Sequence, residues 1–119
     1  MRIVHHANYV RWFELARLDW MDAHHVPYAL YVEAGLNYAT THLTVDYHAP
    51  ARFDDRVEIE AWLETLRGAS LAMSYRVVRG EEVLVTGRSE HACVGDDGRV
   101  RRIPRAWRDA LRAKWEGGA

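Results

Sequence analysis

Apolar residues in the first part of the chain recur at the spacing of an α-helix. From Tyr9 to Trp20, large apolar side chains fall three or four positions apart, and further apolar residues lie off that stripe. A helix that is apolar over more than half of its circumference is buried on several sides. We therefore predict a long central helix, with Asn8 as its N-cap and Pro27 beyond its end. A short second helix is predicted over residues 28–34.

Beyond residue 42 the periodicity changes from that of a helix to that of a strand. Alternation of apolar and polar residues is typical of strands with one face in water. Four strands are predicted: 43–48, 57–64, 71–77 and 83–94. Short turns separate them, and Pro104 begins a terminal helix with an apolar stripe that extends to Trp115. One buried helix followed by antiparallel strands predicts a single α+β domain over residues 1–119, with the sheet wrapped around the helix.

Composition excludes several classes of protein. The 119 residues suit one domain, and 49% hydrophobic and 28% charged residues are ordinary for a globular protein. No apolar run approaches the ~20 residues of a membrane-spanning helix, and 16 basic against 17 acidic residues leave no basic excess for nucleic acid. The single Cys93 excludes an internal disulfide. Together these features lead us to expect a cytoplasmic protein with no membrane insertion and no nucleic-acid partner. Five Trp and six Tyr suit either the core or a contact between subunits.

A specific motif lies close to the first residue. The segment from Met1 to Glu14, M-R-I-V-H-H-A-N-Y-V-R-W-F-E, resembles the start of the central helix in 4-hydroxybenzoyl-CoA thioesterase-like proteins. That family's pattern is D-x-M-G-h-V-(Y/H)-H-A-N-Y-h-x-W-F-E, with h apolar. Residues 50–55 and 98–104 resemble later segments of the family in the same order. The resemblance implies a hotdog fold, in which an antiparallel sheet wraps a long central helix, with the family's first strand missing ahead of the motif.

The resemblance also implies an activity. Such proteins hydrolyse an acyl-CoA or aroyl-CoA thioester, as homodimers or homotetramers, at a site between subunits. No separate cofactor is implied, because coenzyme A is part of the substrate. The N-terminus of the central helix points at the thioester carbonyl, where unpaired N–H groups and the helix dipole stabilise the developing oxyanion. By motif position, the backbone N–H of His6 takes this catalytic role.

Further residues are candidates for substrate binding. In the motif these are His5, Asn8 and Tyr9, of which Tyr9 also suits the core or a subunit contact. Near the C-terminal end, Arg99 and Arg102 suit a clamp for the phosphates of coenzyme A. The alternative for these arginines is a solvated basic segment.

The catalytic carboxylate of the family has no counterpart in the sequence. The resemblance places it seven residues before His6, which is ahead of Met1. Two interpretations stay open: the sequence is shortened at its start, or the protein is a variant that is inactive or uses another carboxylate. Glu14 is the nearest candidate in the motif, although eight residues of helix separate it from His6 by roughly 12 Å.

Other functions are less favoured. A non-catalytic hotdog protein that binds an acyl thioester or only a partner subunit is the main alternative, and a hotdog dehydratase would need a differently placed His–acid pair. A metal site on His42 and His48 is not expected, because six residues of strand separate them. Ser89 and His91 share a strand face without an acid to orient the histidine, so a serine hydrolase is not expected.

Overall fold

The fold is given by a computed structural model that describes residues 6–24, 27–52 and 56–114, with side chains from Asn8 onward. Seven elements lie in this part of the chain. In order they are α1 (His6–His24), α2 (Tyr28–Glu33), β1 (Leu36–Tyr47), β2 (Glu58–Leu66), β3 (Ser70–Arg79), β4 (Glu82–Gly95) and α3 (Arg105–Lys114). Among these residues, no helix is both long and apolar enough to cross a membrane.

The four strands form one antiparallel sheet. Their order is β1-β4-β3-β2, so β2, β3 and β4 follow one another as hairpins while β1 returns to the far side of β4. Within the described residues, β1 and β2 are therefore the two edges. Because α1 packs against one face of this sheet, the predicted α+β arrangement of a long helix against an antiparallel sheet is confirmed.

Phe13 fixes α1 close to the sheet. Its ring is only 2% exposed and stacks on Tyr75 of β3, with ring centroids 4.6 Å apart and planes inclined by 15°. Gly87 of β4 pairs with Tyr75, and a Cβ atom at Gly87 would collide with the Phe13 ring. The absence of a side chain at this one position thus allows the helix to approach the sheet.

A second cluster joins α2, β1 and α3. Tyr31 is fully buried and lies 4.5 Å, centroid to centroid, from Trp107 of α3. Its hydroxyl bonds to that of Tyr38 on β1 at 3.0 Å. Burial, opposed in part by this hydrogen bond, raises the pKa of Tyr31 to about 12. Leu111 is also buried, so the predicted stripe of α3 does pack on the core as far as it is described; Trp115 lies outside the described residues.

Sequence periodicity placed β2, β3 and β4 to within two residues but missed the first half of β1. β1 begins at Leu36, seven residues before the predicted start. Along this edge strand only Tyr38 is buried, so buried and exposed residues do not alternate from one position to the next. A register shift between Thr40 and His42 interrupts the pairing as well, which removes the period of two that a sequence pattern would detect.

The predicted N-cap of the first helix is wrong. α1 begins at His6, so Asn8 is the third residue inside the helix rather than the residue before it. The apolar stripe begins only at Tyr9, because the first turn of the helix carries polar and small residues. Periodicity alone could not extend the helix back over that turn.

Candidate functional site

The start of α1 lies beside the end of β1. Tyr9 is 2% exposed and meets Tyr47 edge to face, with centroids 5.5 Å apart. Asn8 is half-buried in the same turn. The backbone N–H groups of the first turn of a helix have no partner within the helix, and in α1 this turn begins at His6. The other motif candidate, His5, lies outside the described residues.

Glu14 is not brought near the start of α1. Eight residues of helix separate it from His6, roughly 12 Å along the axis. Its side chain is exposed and lines a cavity on the side of α1 that faces β1, β3 and β4. Within this chain, His6 and Glu14 therefore do not converge on one atom.

Arg99 and Arg102 lie at the opposite end of the sheet from the start of α1. The N–H of Gly95 donates to the carbonyl of Arg99 at 2.9 Å, and Gly95 pairs with Leu36, the first residue of β1. A Cβ atom at Gly68, in the turn before β3, would lie 3.1 Å from the Arg102 guanidinium. Because β1 has 12 residues, this end is roughly 36 Å of strand away from Tyr47.

The sheet carries a row of hydrogen-bonded polar side chains beneath α1. The Tyr75 hydroxyl lies 2.6 Å from Ser89 Oγ, and Ser89 Oγ lies 2.6 Å from His91 Nε2. The row ends on β1, where Thr40 Oγ1 lies 3.2 Å from His91 Nδ1. Ser89 and His91 thus share a face as expected, and a threonine hydroxyl stands where a serine hydrolase would need an acid.

Arg17, which no sequence motif marked as a candidate, packs over this row. Arg17 is only 9% exposed, because it follows buried Phe13 by four residues and so lies on the same side of the helix. The only sequence feature that hinted at this position was a charged residue at a helical spacing where an apolar one is expected. Arg17 lines a cavity of about 30 Å³, together with Phe13, Glu14, Tyr75, Ser89 and His91.

Burial and charge both act on the polar row. Burial, and secondarily the nearby Arg17 guanidinium, lower the pKa of His91 to about 4. Burial raises the pKa of Tyr75, while its bond to Ser89 and the Arg17 charge oppose that rise. At neutral pH the row is therefore uncharged, and its histidine is present as imidazole.

A larger groove runs along the other side of α1. It has a volume of about 470 Å³ and lies between the helix and β2. Trp12 and Trp20 line its helical wall, and Ile59 and Ala61 line the strand wall. Of the three aromatic residues of the motif, Tyr9 and Phe13 are therefore core residues, whereas Trp12 is half-buried at this groove.

Two other residues, His48 and Cys93, make ordinary structural contacts. Among the described residues, no group of three or more His, Cys, Asp or Glu side chains is placed to hold a metal ion, and His48 Nε2 lies 3.0 Å from Thr86 Oγ1. Cys93 is fully buried, and that burial raises the pKa of its thiol. Such a thiol packs as a small apolar group.

Similarity to known proteins agrees with this architecture. The family model of the thioesterase superfamily matches residues 1–86. The chain is 35% identical over 83 residues to the acyl-CoA thioester hydrolase YbgC of Escherichia coli, covering 70% of this chain and 62% of that protein.

Solved structures agree as well. The chain superposes with a TM-score of 0.90 on a hypothetical protein, TT1821, of Thermus thermophilus, at 32% identity and covering 96% and 88% of the two chains. For a DHNA-CoA thioesterase of Staphylococcus aureus the TM-score is 0.89 at 27% identity, covering 95% and 79%. These matches confirm the hotdog fold that the motif predicted. The chain belongs to the thioesterase superfamily.

Proposed function

We propose that this chain is a cytoplasmic acyl-CoA thioesterase that acts as a homodimer or homotetramer, with its site between subunits. The observation that carries the proposal is the superfamily match over residues 1–86, which includes the motif at the start of α1. The E. coli relative is an acyl-CoA thioester hydrolase, which supports the same substrate class. The single Cys93 is in keeping with a reducing compartment.

The start of α1 is the proposed oxyanion site. Attack on a thioester carbonyl places negative charge on its oxygen, and the first-turn N–H groups of a helix stabilise such charge. α1 provides these groups from His6 onward. The backbone of His6 would act here and half-buried Asn8 in the same turn would contact the acyl or pantetheine portion, while buried Tyr9 holds this turn against β1.

Pairing of two subunits explains how distant candidates would meet. β1 is an edge strand of 12 residues, and exposed edges of this kind pair with a second chain. Antiparallel pairing of β1 with its symmetry copy places the Leu36 end of one subunit beside the Tyr47 end of the other. Arg99 and Arg102 would then approach the partner's α1 and bind the phosphates of coenzyme A.

Exposed apolar residues on β1 support this interface. Leu43 is 39% exposed and Tyr47 is 53% exposed, on a strand that has few buried residues. Large exposed apolar side chains beside an unpaired edge indicate a surface that another chain covers. Sedimentation equilibrium tests the interface: we expect a dimer or a tetramer, and a monomer that hydrolyses thioesters would rule out a site between subunits.

The activity itself is tested by release of free coenzyme A from a panel of short-chain, long-chain and aromatic CoA esters. We expect saturable hydrolysis of at least one class. Removing two distant phosphate contacts should raise KM more than it lowers kcat, so Arg99→Ala with Arg102→Ala tests the clamp. The exposed Arg112→Ala on α3 serves as the matched control. No release from any ester would refute the proposed activity.

Glu14 is the proposed carboxylate, contributed across the interface. A general base or nucleophile removed from such a site lowers kcat by about 10²-fold or more. We expect that loss for Glu14→Gln and near-normal turnover for Asp22→Asn, an exposed acid on the same helix. Equal activity of the two variants would remove Glu14 from the mechanism.

A non-catalytic function is the second candidate. It is favoured by one observation, the roughly 12 Å of helix between His6 and Glu14 within a subunit. Calorimetric titration with a non-hydrolysable CoA thioether distinguishes the two. Binding without any hydrolysis would indicate an acyl-thioester-binding protein, whereas binding accompanied by turnover of the ester indicates the enzyme.

A further inference from the structure

The cavity beneath α1 is lined by Arg17, a buried arginine that makes no ion pair with any described residue. Arg17 is nine-tenths buried, and its Nε atom has no hydrogen-bond partner. Its hydrogen bond from Nη1 goes to the Met21 sulfur at 3.8 Å, a weak acceptor. Among the described residues, no carboxylate lies within ion-pair distance of Arg17. Burying an unpaired charge is costly, so the Arg17 guanidinium is suited to bind an anion that enters the cavity.

The walls of the cavity suit an anion rather than a cation. The three hydrogen bonds of the row use three of its four protons, so the hydroxyl at one end, Tyr75 or Thr40, is left to donate to an anion. His91 is hydrogen-bonded to the Thr40 and Ser89 hydroxyls. Its side chain carries no negative charge that would repel an anion. A guanidinium fork beside neutral O–H donors is the donor set that binds a carboxylate in two-point geometry.

The size and the rim of the cavity limit the ligand. A volume of about 30 Å³ holds a group of a few atoms, not a phosphorylated nucleotide. Val10 and Leu43 are apolar residues of its lining, and Leu43 is partly exposed. An apolar stem can therefore lie outside while a small charged head lies inside. Glu14, exposed at the same rim, repels anions and limits the affinity.

We propose that Arg17, Tyr75, Ser89 and His91 form a binding site for the carboxylate of a small organic acid on an apolar stem. Arg17 supplies the charge, and the hydroxyl row donates to the oxygen that the guanidinium leaves free. Within one chain this cavity lies eleven residues of helix, roughly 16 Å, from the oxyanion site at the start of α1, although Glu14, the proposed catalytic carboxylate, also lines it. The inference does not depend on thioester hydrolysis.

Butyrate is the probe, with butyramide as its uncharged analogue. Calorimetric titration of the full chain should show saturable binding of butyrate and none of butyramide. Arg17→Met should weaken butyrate binding by about tenfold or more, as expected when a charge-assisted hydrogen-bond pair is removed. Arg108→Met is the matched control, because Arg108 on α3 also has a buried Nε without a partner but does not line the cavity. Its butyrate affinity should equal that of the unaltered protein.

Thermal unfolding shows whether the Arg17 variant remains folded. Removing an uncompensated buried charge should leave the Tm equal or higher, while the rise in Tm that butyrate causes in the unaltered protein should disappear. A folded Arg17→Met variant that binds butyrate with undiminished affinity would overturn the proposal. So would a protein that binds no butyrate and whose Arg17→Met variant dissociates into monomers, because a carboxylate of the partner subunit would then fill the cavity.

Discussion

Protonation of His91 should destabilise the folded protein in mild acid. The side chain is 3% exposed, and burial together with the Arg17 charge lowers its pKa from 6.5 to about 4. In the unfolded chain the histidine recovers its ordinary pKa, so the unfolded chain binds more protons between pH 6.5 and pH 4. Stability is therefore complete above about pH 6.5, falls as the pH drops through this window, and loses no more from this group below about pH 4.

The size of the effect follows from the two pKa values. One pKa unit corresponds to 1.36 kcal/mol, so the full effect is about 3 kcal/mol. Between pH 7 and pH 5 it is about 2 kcal/mol, because the folded state is still largely unprotonated at pH 5. A loss of this size is a large part of the stability of a small domain.

Urea unfolding followed by tryptophan fluorescence measures this loss at a fixed protein concentration. The variant His91→Asn keeps a hydrogen-bonding side chain but does not titrate, so its pH dependence between pH 7 and pH 5 should be smaller by about 2 kcal/mol. His42→Asn, at an exposed position on β1, should retain the full dependence. If the His91 variant and the unaltered protein lose stability in parallel, another group is responsible and the reasoning fails.

Three further predictions concern the core and one turn. Buried Cys93 should react with a disulfide reagent at least about tenfold faster in urea than in the folded protein; equal rates would contradict its burial. Phe13→Ala should lower the free energy of unfolding by about 3–5 kcal/mol in urea titration, whereas Val32→Ala, at a site 61% exposed, should change it by about 0.5 kcal/mol or less; similar losses would argue against Phe13 as the anchor of α1. Gly80 has φ 62° with open space around it, so Gly80→Ala should cost about 1 kcal/mol through backbone strain alone. An unchanged urea midpoint for that variant would show that the turn tolerates a side chain.

The sequence by itself determined most of the secondary structure and the family. The period of the apolar residues reports which side of an element is buried, so the long helix and strands β2 to β4 followed from it directly. The motif ending at Glu14 identified the fold because it combines the start of the helix, aromatic residues at helical spacing and polar residues at fixed positions. Signals of this kind are local, and they hold whichever neighbours the element acquires.

The tertiary structure decided everything that depends on distant neighbours. The first half of β1 had no periodic signal, because this edge strand is exposed on both faces apart from Tyr38. Arg17 gave only a weak signal, since its burial depends on Tyr75 and His91, which lie far along the chain and reach it only through the strand register. The same register places Arg99 at the opposite end of the sheet from His6, a separation that no spacing in the sequence contains.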